Sequence, residues 1–275
     1  MPEQAPLKRL TALAIAAHPD DIEFMMAGTL LRLKDAGVEI HMWNLANGSC
    51  GTAVHDRDEI VRLRAEEARA SAREAGATVH PAITDDLSIF YTPDLLARVA
   101  AVIRAVRPDL IFTHSPQDYM EDHTNTCRLV VTAAFARGMR NYPAEPAAPA
   151  WGGDVALYHA LPHGLRDGLR RVIQPESYVD VGAVLARKRA MLSRHETQKT
   201  WLDVSQGMDS YLHEMEAMCR QVGRLSRSFE YAEGWRRHSH LGFSAADVDP
   251  LGALLGPAYW IDPNYARGLE AGPAS

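Results

Sequence analysis

Short apolar runs alternate with longer segments of helical period along this chain, most regularly in its first half. This alternation constrains the fold more than any other feature, because it is typical of a mainly parallel sheet with helices packed on its faces. The apolar runs predict strands at residues 10–17, 38–45, 109–113, 155–160 and 178–181. We therefore expect an α/β fold.

Segments of helical period fill the intervals between the predicted strands. Helices are predicted over residues 22–36 and 56–75, each followed by a glycine, and Pro93 marks the start of a helix that ends before Pro108. Three prolines within residues 141–150 predict a surface loop, and the charged stretch 220–237 predicts a solvated face. Further helices are predicted at 122–137, 182–194 and 206–222.

No linker separates the two halves of the chain, and its 275 residues suit one α/β domain. We expect a single domain over residues 1–275. Within it, residues 1–140 would form a Rossmann-like core that carries the site, and residues 151–275 would form a C-terminal elaboration that completes the pocket.

Charge and cysteine content exclude several classes of protein. The formal net charge of −6 argues against nucleic-acid binding, which needs a basic surface. The three cysteines form no C-x-x-C pair, which favours a reducing cytoplasm over a disulfide framework. No stretch approaches the roughly 20 apolar residues that span a bilayer. We expect a cytoplasmic protein without a membrane span.

Imidazole and carboxylate groups follow two of the predicted strands. His18-Pro19-Asp20-Asp21 comes directly after the first strand, and residues 114–123, which begin and end with histidine, follow the strand at 109–113. Ligands of open parallel sheets bind at the carboxyl ends of the strands, so the two segments can converge. A catalytic zinc ion takes three protein ligands, often two histidines and a carboxylate, and keeps a position for water.

Two adjacent aspartates on one turn cannot both point the same way. One of them can bind a metal ion while the other takes a proton from water beside that ion. Without the second cluster, His18-Pro19-Asp20-Asp21 could equally be a polar turn that caps a helix at Asp20 or Asp21. Charged side chains gathered at one sheet edge favour the metal site, because they need a shared partner.

These residues resemble a known family. The run Ala17-His18-Pro19-Asp20-Asp21 looks like the A-H-P-D-D signature of the PIG-L/LmbE deacetylases, and Asp122-His123 looks like their second motif. Weaker similarities cover most of the chain, at residues 28–29, 47–52, 64–76, 188–198 and 231–233.

The resemblance implies a Rossmann-like three-layer sandwich with a zinc site, although the ligand set also accepts other divalent metals. His18, Asp21 and His123 match the zinc ligands of the family. Asp20 matches its general base, and Asp122 matches a carboxylate that supports a ligand. At the positions of Arg64 and Asp86, some relatives contact sugar hydroxyls.

One position departs from the family pattern. Many relatives have a histidine three residues before the second ligand histidine, where it stabilises the oxyanion, but this chain has Met120. Methionine cannot donate that hydrogen bond, and loss of one such donor costs about 2.7 to 4 kcal/mol in the transition state. Another donor would have to replace it, and the candidates are His114, Tyr119 and His195, of which we favour His195.

The resemblance thus implies removal of an N-acetyl group from a hexosamine-containing small molecule, by an enzyme that we expect to be a homo-oligomer. A metal-dependent amidase for a different N-acyl compound is the near alternative. A non-catalytic Rossmann-like binding protein is the other, but a dinucleotide binder usually carries G-x-G-x-x-G where this chain has His18 and two acids.

Overall fold

A computed structural model describes residues 9–198 and 211–270 of the chain. Its centre is an eight-stranded sheet with the order β3-β2-β1-β4-β5-β7-β6-β8. The strands are β1 (Thr11–Ala16), β2 (Glu39–Asn44), β3 (Thr78–His80), β4 (Leu110–Thr113), β5 (Ala156–Ala160), β6 (Ser177–Asp180), β7 (Ala232–Arg237) and β8 (Tyr259–Ile261).

The first five strands run parallel, and the last three are added in antiparallel fashion. The strand order reverses between β1 and β4: the chain leaves β1 for β2 and β3, and then returns to pair β4 with the other side of β1. Such a reversal opens a crevice outside the carboxyl ends of the two strands. The α/β class with a mainly parallel sheet is confirmed.

Helices cover both faces of the sheet. They are α1 (Asp21–Met25), α2 (Ala27–Asp35), α3 (Arg57–Ala75), α4 (Pro93–Val106), α5 (Glu121–Ala136), α6 (Leu185–Leu192), α7 (Tyr211–Ser226), α8 (Pro250–Leu255) and α9 (Pro263–Glu270). Asp56 and Thr92 cap α3 and α4 by accepting backbone N–H groups of the first turn. None of the helices within 9–198 and 211–270 is long and apolar enough to cross a membrane.

The central strand β1 is buried on both faces, as expected for a strand in a parallel sheet. Ala12 and Ala14 point into one apolar cluster, whereas Leu13 and Ile15 point into the other. Successive side chains of a strand alternate between faces, so β1 contributes to both layers of the core. This explains why the run 10–17 is continuously apolar.

The predicted helix at 22–36 is in fact two helices. The chain leaves helical geometry at Met26, with φ at −131°, and α2 begins at the next residue. The break exposes new first-turn N–H groups, and the Glu233 carboxylate accepts those of Gly28 and Thr29, both at 2.7 Å. A carboxylate at a helix N-terminus satisfies these donors and the helix dipole together.

The prediction of a solvated face at 220–237 is wrong for its last part, because β7 lies inside the sheet. Glu233 and Trp235 of this strand are buried, and Arg236 is only partly exposed. The charged residues of β7 mask its strand pattern in the sequence, because their partners come close only in the folded chain. The part of the predicted helix 206–222 that precedes Tyr211 falls outside the described residues.

Candidate active site

The first cluster of the site is held by the turn that follows β1. Asp20 adopts a left-handed conformation with φ at 110°, and α1 begins at the next residue. The amide of Asn44, the last residue of β2, donates to the carbonyl of His18. A non-glycine residue in this region is uncommon and points to a conformation imposed by its surroundings. Here the turn directs Asp20 and Asp21 to different sides.

Three predicted metal ligands meet at this point. Ligand atoms of His18, Asp21 and His123 all lie within 4.8 Å of one another. The nitrogens that face Asp21 are His18 Nδ1 and His123 Nε2, each 3.4 Å from a carboxylate oxygen. His123 reaches the position from the first turn of α5, directly after β4. Two imidazoles and a carboxylate at this spacing fit the donor set of a divalent metal.

A second carboxylate binds the other ring nitrogen of each predicted ligand histidine. His18 Nε2 lies 2.9 Å from Asp122 Oδ2, and His123 Nδ1 lies 3.1 Å from Asp118 Oδ1. Burial lowers the pKa of both imidazoles, but the surrounding carboxylates outweigh it and raise the pKa of His18 to about 9 and that of His123 to about 10. The site therefore attracts positive charge. A carboxylate behind a histidine is the usual outer support of a metal ligand.

A second group of donors overlaps the first. His114, Asp118 and His123 also have ligand atoms within 4.8 Å of one another. His114 is buried, its Nε2 accepts the backbone N–H of Ala17 at 2.9 Å, and its ring stacks on His123 with a centroid distance of 4.1 Å. Because that nitrogen is already an acceptor, His114 fits better as a support for His123 than as a ligand.

Asp20 is buried beside the three ligands. Its Oδ2 accepts a hydrogen bond from the Tyr211 hydroxyl, and its Oδ1 lies 3.7 Å from Arg64 Nη2. Burial raises the pKa of Asp20 to about 6, although Arg64 and the Tyr211 hydrogen bond act in the opposite direction. A carboxyl with a pKa near neutrality can take up and release a proton during turnover.

Arg64 and Asp86, the predicted sugar contacts, form the wall next to Asp20. Arg64 donates to the Pro19 carbonyl, and a Cβ added at Gly48 or Gly51 would lie 2.3 Å from its side chain. Asp86 accepts the N–H groups of Gly48 and Cys50 at 2.7 and 2.9 Å. Both residues hold the loop between β2 and α3, and their contact with substrate stays a prediction.

These side chains enclose a cavity of about 480 Å³, the size of a pocket for a small ligand. Acids and imidazoles line one part, and apolar side chains line the rest. The lining residues are His18, Asp20, Asp21, Phe24, Met25, Cys50, Gly51, Arg64, Asp86, Leu87, Tyr119, Met120, His123, His163, Gln198 and Tyr211.

Of the three proposed substitutes for the missing oxyanion histidine, only Tyr119 is among the described lining residues. His195 is buried, its Nε2 lies 3.2 Å from Glu23 Oε1, and it is not among the described lining residues. Burial lowers the pKa of His195, but the Glu23 carboxylate outweighs it and raises that pKa. A catalytic role for His195 stays a prediction.

His163 and Tyr211 were not predicted from the sequence. His163 stands in no recognisable ligand spacing, yet it lines the cavity three residues after the end of β5. The rule that indicated His18 and His123, a polar residue just after a parallel strand, also applies to it. Tyr211 comes from α7 and carries no local signal, because its contact with Asp20 spans 191 positions.

Comparison with known proteins agrees with this geometry. The family model described as PIG-L, GlcNAc-PI de-N-acetylase, matches residues 13–134, which include both motifs. This part of the chain is therefore similar to the PIG-L family. The diacetylchitobiose deacetylase of Thermococcus kodakarensis is 28% identical over 232 residues, which cover 82% of this chain and 81% of that protein.

The chain is also similar to a hydratase and to a solved deacetylase structure. The 4-oxalmesaconate hydratase of Pseudomonas putida is 26% identical over 240 residues, covering 82% of this chain and 87% of that protein. The solved N,N'-diacetylchitobiose deacetylase from Pyrococcus horikoshii superposes with a TM-score of 0.71 at 20% identity and covers 88% of both chains. At that identity the superposition establishes the shared fold.

Proposed function

We propose that this chain is a zinc-dependent hydrolase that removes the N-acetyl group from a hexosamine-containing small molecule. The observation that carries the proposal is the meeting of His18, Asp21 and His123 beside the buried Asp20 in one cavity. The match of residues 13–134 to the PIG-L family model and the similarity to a diacetylchitobiose deacetylase support the same reaction.

The residues present fit a divalent metal. His18, Asp21 and His123 would hold it, and two imidazoles with one carboxylate are a common set for catalytic zinc, although other divalent ions accept the same donors. When bound, the ion supplies Lewis acidity that polarises the acyl carbonyl and lowers the pKa of a nearby water. Metal analysis of the purified protein tests the choice of zinc.

Asp20 acts as the base in this proposal. It takes a proton from the attacking water, whose oxygen forms the new bond to the acyl carbon. The bond between carbon and nitrogen then breaks, and Asp20 returns the proton to the departing nitrogen, so that acetate and a free amine are released. The Tyr211 hydroxyl and the Arg64 guanidinium restrain both carboxylate oxygens during these transfers.

The decisive test is replacement of Asp20. Because Asp20 is not a ligand, Asp20→Ala should keep stoichiometric metal while turnover falls by a factor on the order of 10² to 10⁴. Amine release from diacetylchitobiose and other acetylated glucosamine derivatives measures turnover. Asp58→Ala, which removes a carboxylate from an exposed position on α3, is the control. Near wild-type activity in Asp20→Ala would remove Asp20 from the mechanism.

A hydratase is the second candidate, favoured by the similarity to the 4-oxalmesaconate hydratase. The charges of the side chains that line the cavity do not favour a hydratase. Among the described lining residues, Arg64 alone carries a fixed positive charge, and it is already bound to the Pro19 carbonyl beside Asp20. A polycarboxylate would thus find few cationic partners apart from the metal ion.

A substrate panel separates the candidates. Acetylated sugars, other N-acyl amines and 4-oxalmesaconate are offered to the same metal-loaded protein. Release of amine from the acetylated sugars supports the proposal, and release only from another amide favours the related amidase. Consumption of 4-oxalmesaconate without amidase activity would establish the hydratase.

Two further features are proposed with the function. The three cysteines are free, which agrees with a cytoplasmic protein, and measurement of its location in the cell tests that expectation. A homo-oligomer stays a prediction from the family resemblance. Light scattering of the purified protein measures its mass against the 30.3 kDa of one chain.

A further inference from the structure

The cavity lacks a hydrogen-bond donor where a deacetylase needs one. Negative charge develops on the acyl oxygen as water attacks, and a donor aimed at that oxygen typically contributes a large part of the catalysis. Met120 lines the cavity at the start of α5 but cannot donate. The metal ion can accept part of the charge, and a second donor must come from another element.

Most donors of the cavity already have partners within the protein. Cys50 offers only a weak S–H donor, and Gln198 lies beside Gly51, with its Oε1 3.1 Å from the position of an added Cβ. The donors that are engaged, with their acceptors, are His18 with Asp122, His123 with Asp118, Arg64 with the Pro19 carbonyl, and Tyr211 with Asp20.

His163 differs from these groups. It begins a short helical turn after β5, the parallel strand next to β4, and therefore reaches the same sheet edge as His123. Its ring packs between Phe24 and Tyr119, with centroid distances of 5.0 and 6.4 Å. Neither ring nitrogen has a hydrogen-bond partner among residues 9–198 and 211–270, so its N–H is free for a ligand.

The charge state of His163 suits this use. Burial lowers its pKa, and this effect exceeds the opposing influence of Glu214, Asp21 and Asp118. At neutral pH the imidazole is thus neutral and carries one N–H. Tyr119 contacts both His163 and His123, with ring centroid distances of 6.4 and 5.7 Å, so the His163 ring lies on the same side of the cavity as His123.

We propose that His163 donates the hydrogen bond to the acyl oxygen of the substrate, in place of the histidine that Met120 replaces. The inference rests on the proposed hydrolysis of an amide. His163 is then a catalytic residue supplied by the loop after β5 rather than by α5. In this proposal, the hydrogen bond to the acyl oxygen comes from the residue that follows β5, at the same edge of the sheet as the start of α5.

The test compares His163→Ala with His163→Gln, whose side-chain amide can still donate. His163→Ala should lower kcat by about 10² to 10³-fold, the usual effect of removing one oxyanion donor, with KM changed far less and metal content unchanged. His163→Gln should recover part of kcat. His213→Ala, an exposed histidine on α7, is the matched control and should behave like the wild type.

Other outcomes would overturn the inference. Near wild-type kcat in His163→Ala would do so, as would an effect confined to KM. Tyr119→Phe removes a second unpaired donor, the Tyr119 hydroxyl, while leaving the ring that packs against His163. A loss in that variant equal to the loss in His163→Ala would assign the hydrogen bond to Tyr119. Wild-type protein that hydrolyses no amide would refute the proposed function itself, and that result is distinguishable because it precedes any variant.

Discussion

At the scale of single residues, the site is a set of carboxylates arranged around two imidazoles. Asp122 and Asp118 each bind the rear nitrogen of one ligand histidine, so that only His18 Nδ1 and His123 Nε2 can face a metal ion. Asp122 also accepts the backbone N–H of Leu87 at 2.7 Å, which fixes the carboxylate itself. The rear carboxylates therefore preorganise the ligands.

This arrangement predicts a metal-affinity defect in Asp122→Asn. The amide cannot support His18 with a full negative charge, so metal affinity should fall by about 10 to 100-fold. Competition with a chelator measures it. Asp94→Asn is a matched control, because Asp94 is the second residue of α4 as Asp122 is of α5, but it is exposed. Equal affinity in the wild type and in Asp122→Asn would show that Asp122 does not support the ligand.

A site residue can be predicted from the sequence where the residues next to it in the chain form a recognisable motif. His18, Asp21 and His123 follow strands and match a motif, and the structure brings them together. The sequence did not predict Tyr211, because nothing near it distinguishes a catalytic hydroxyl from a core tyrosine. Tyr211 reaches Asp20 because α7 packs against α1, where the rings of Phe24 and Tyr211 lie 5.6 Å apart.

At the scale of elements, a buried ion pair contributes to the attachment of α2 to the C-terminal half. Lys188 of α6 donates to Glu233 of β7 at 2.6 Å, and Glu233 in turn binds the first N–H groups of α2. Lys188 is completely buried and Glu233 is 4% exposed. Three elements therefore depend on one carboxylate whose charge is neutralised by one lysine.

Lys188→Met should destabilise the protein strongly, because it leaves the Glu233 charge buried without its partner. The loss in free energy of unfolding should be about 3 to 5 kcal/mol, as measured by denaturant titration. Arg187→Met, which breaks the adjacent but exposed ion pair with Asp35, should cost less than about 1 kcal/mol. Similar losses in the two variants would contradict this account of α2.

Helices and strands could be predicted where the hydrophobic pattern lies within the segment itself. The predicted strands at 10–17, 38–45 and 109–113 correspond to β1, β2 and β4, and capping signals placed α3 and α4 within a residue. The sequence did not predict β3 or β8, because strands of three residues at the two edges of the sheet carry too little periodicity.

At the scale of the whole molecule, a buried histidine lies where the parallel and antiparallel parts of the sheet join. His159 of β5 pairs in register with Arg236 of β7. Its Nδ1 lies 2.9 Å from the His114 carbonyl and 3.5 Å from Cys127 Sγ, and its Nε2 lies 3.0 Å from His238 Nδ1. Burial, with His238 and Arg236 nearby, lowers the pKa of His159 to about 4.

This histidine should make the fold sensitive to acid. Between the unfolded pKa of 6.5 and the folded value of about 4, His159 binds a proton only in the unfolded chain. Its stabilising contribution is therefore complete above pH 6.5 and is lost as the pH falls toward 4, by up to about 3 kcal/mol.

Comparison with His159→Gln isolates this effect from other titrating groups. The glutamine keeps an N–H for the His114 carbonyl but does not titrate. The difference in free energy of unfolding between wild type and variant should narrow as the pH falls from 7 to 4.5, measured by urea titration at each pH. A constant difference would exclude His159 as the acid-sensitive group.

The hydrogen bond from Tyr211 to Asp20 has a consequence for how the protein is made. All three proposed ligands and the proposed base emerge from the ribosome by residue 123, but the hydroxyl that restrains the base follows 88 positions later. A growing chain could thus hold a metal ion well before its base is held in place. On the proposed mechanism, hydrolytic competence is acquired only after Tyr211 has been synthesised and α7 has packed beside Asp20.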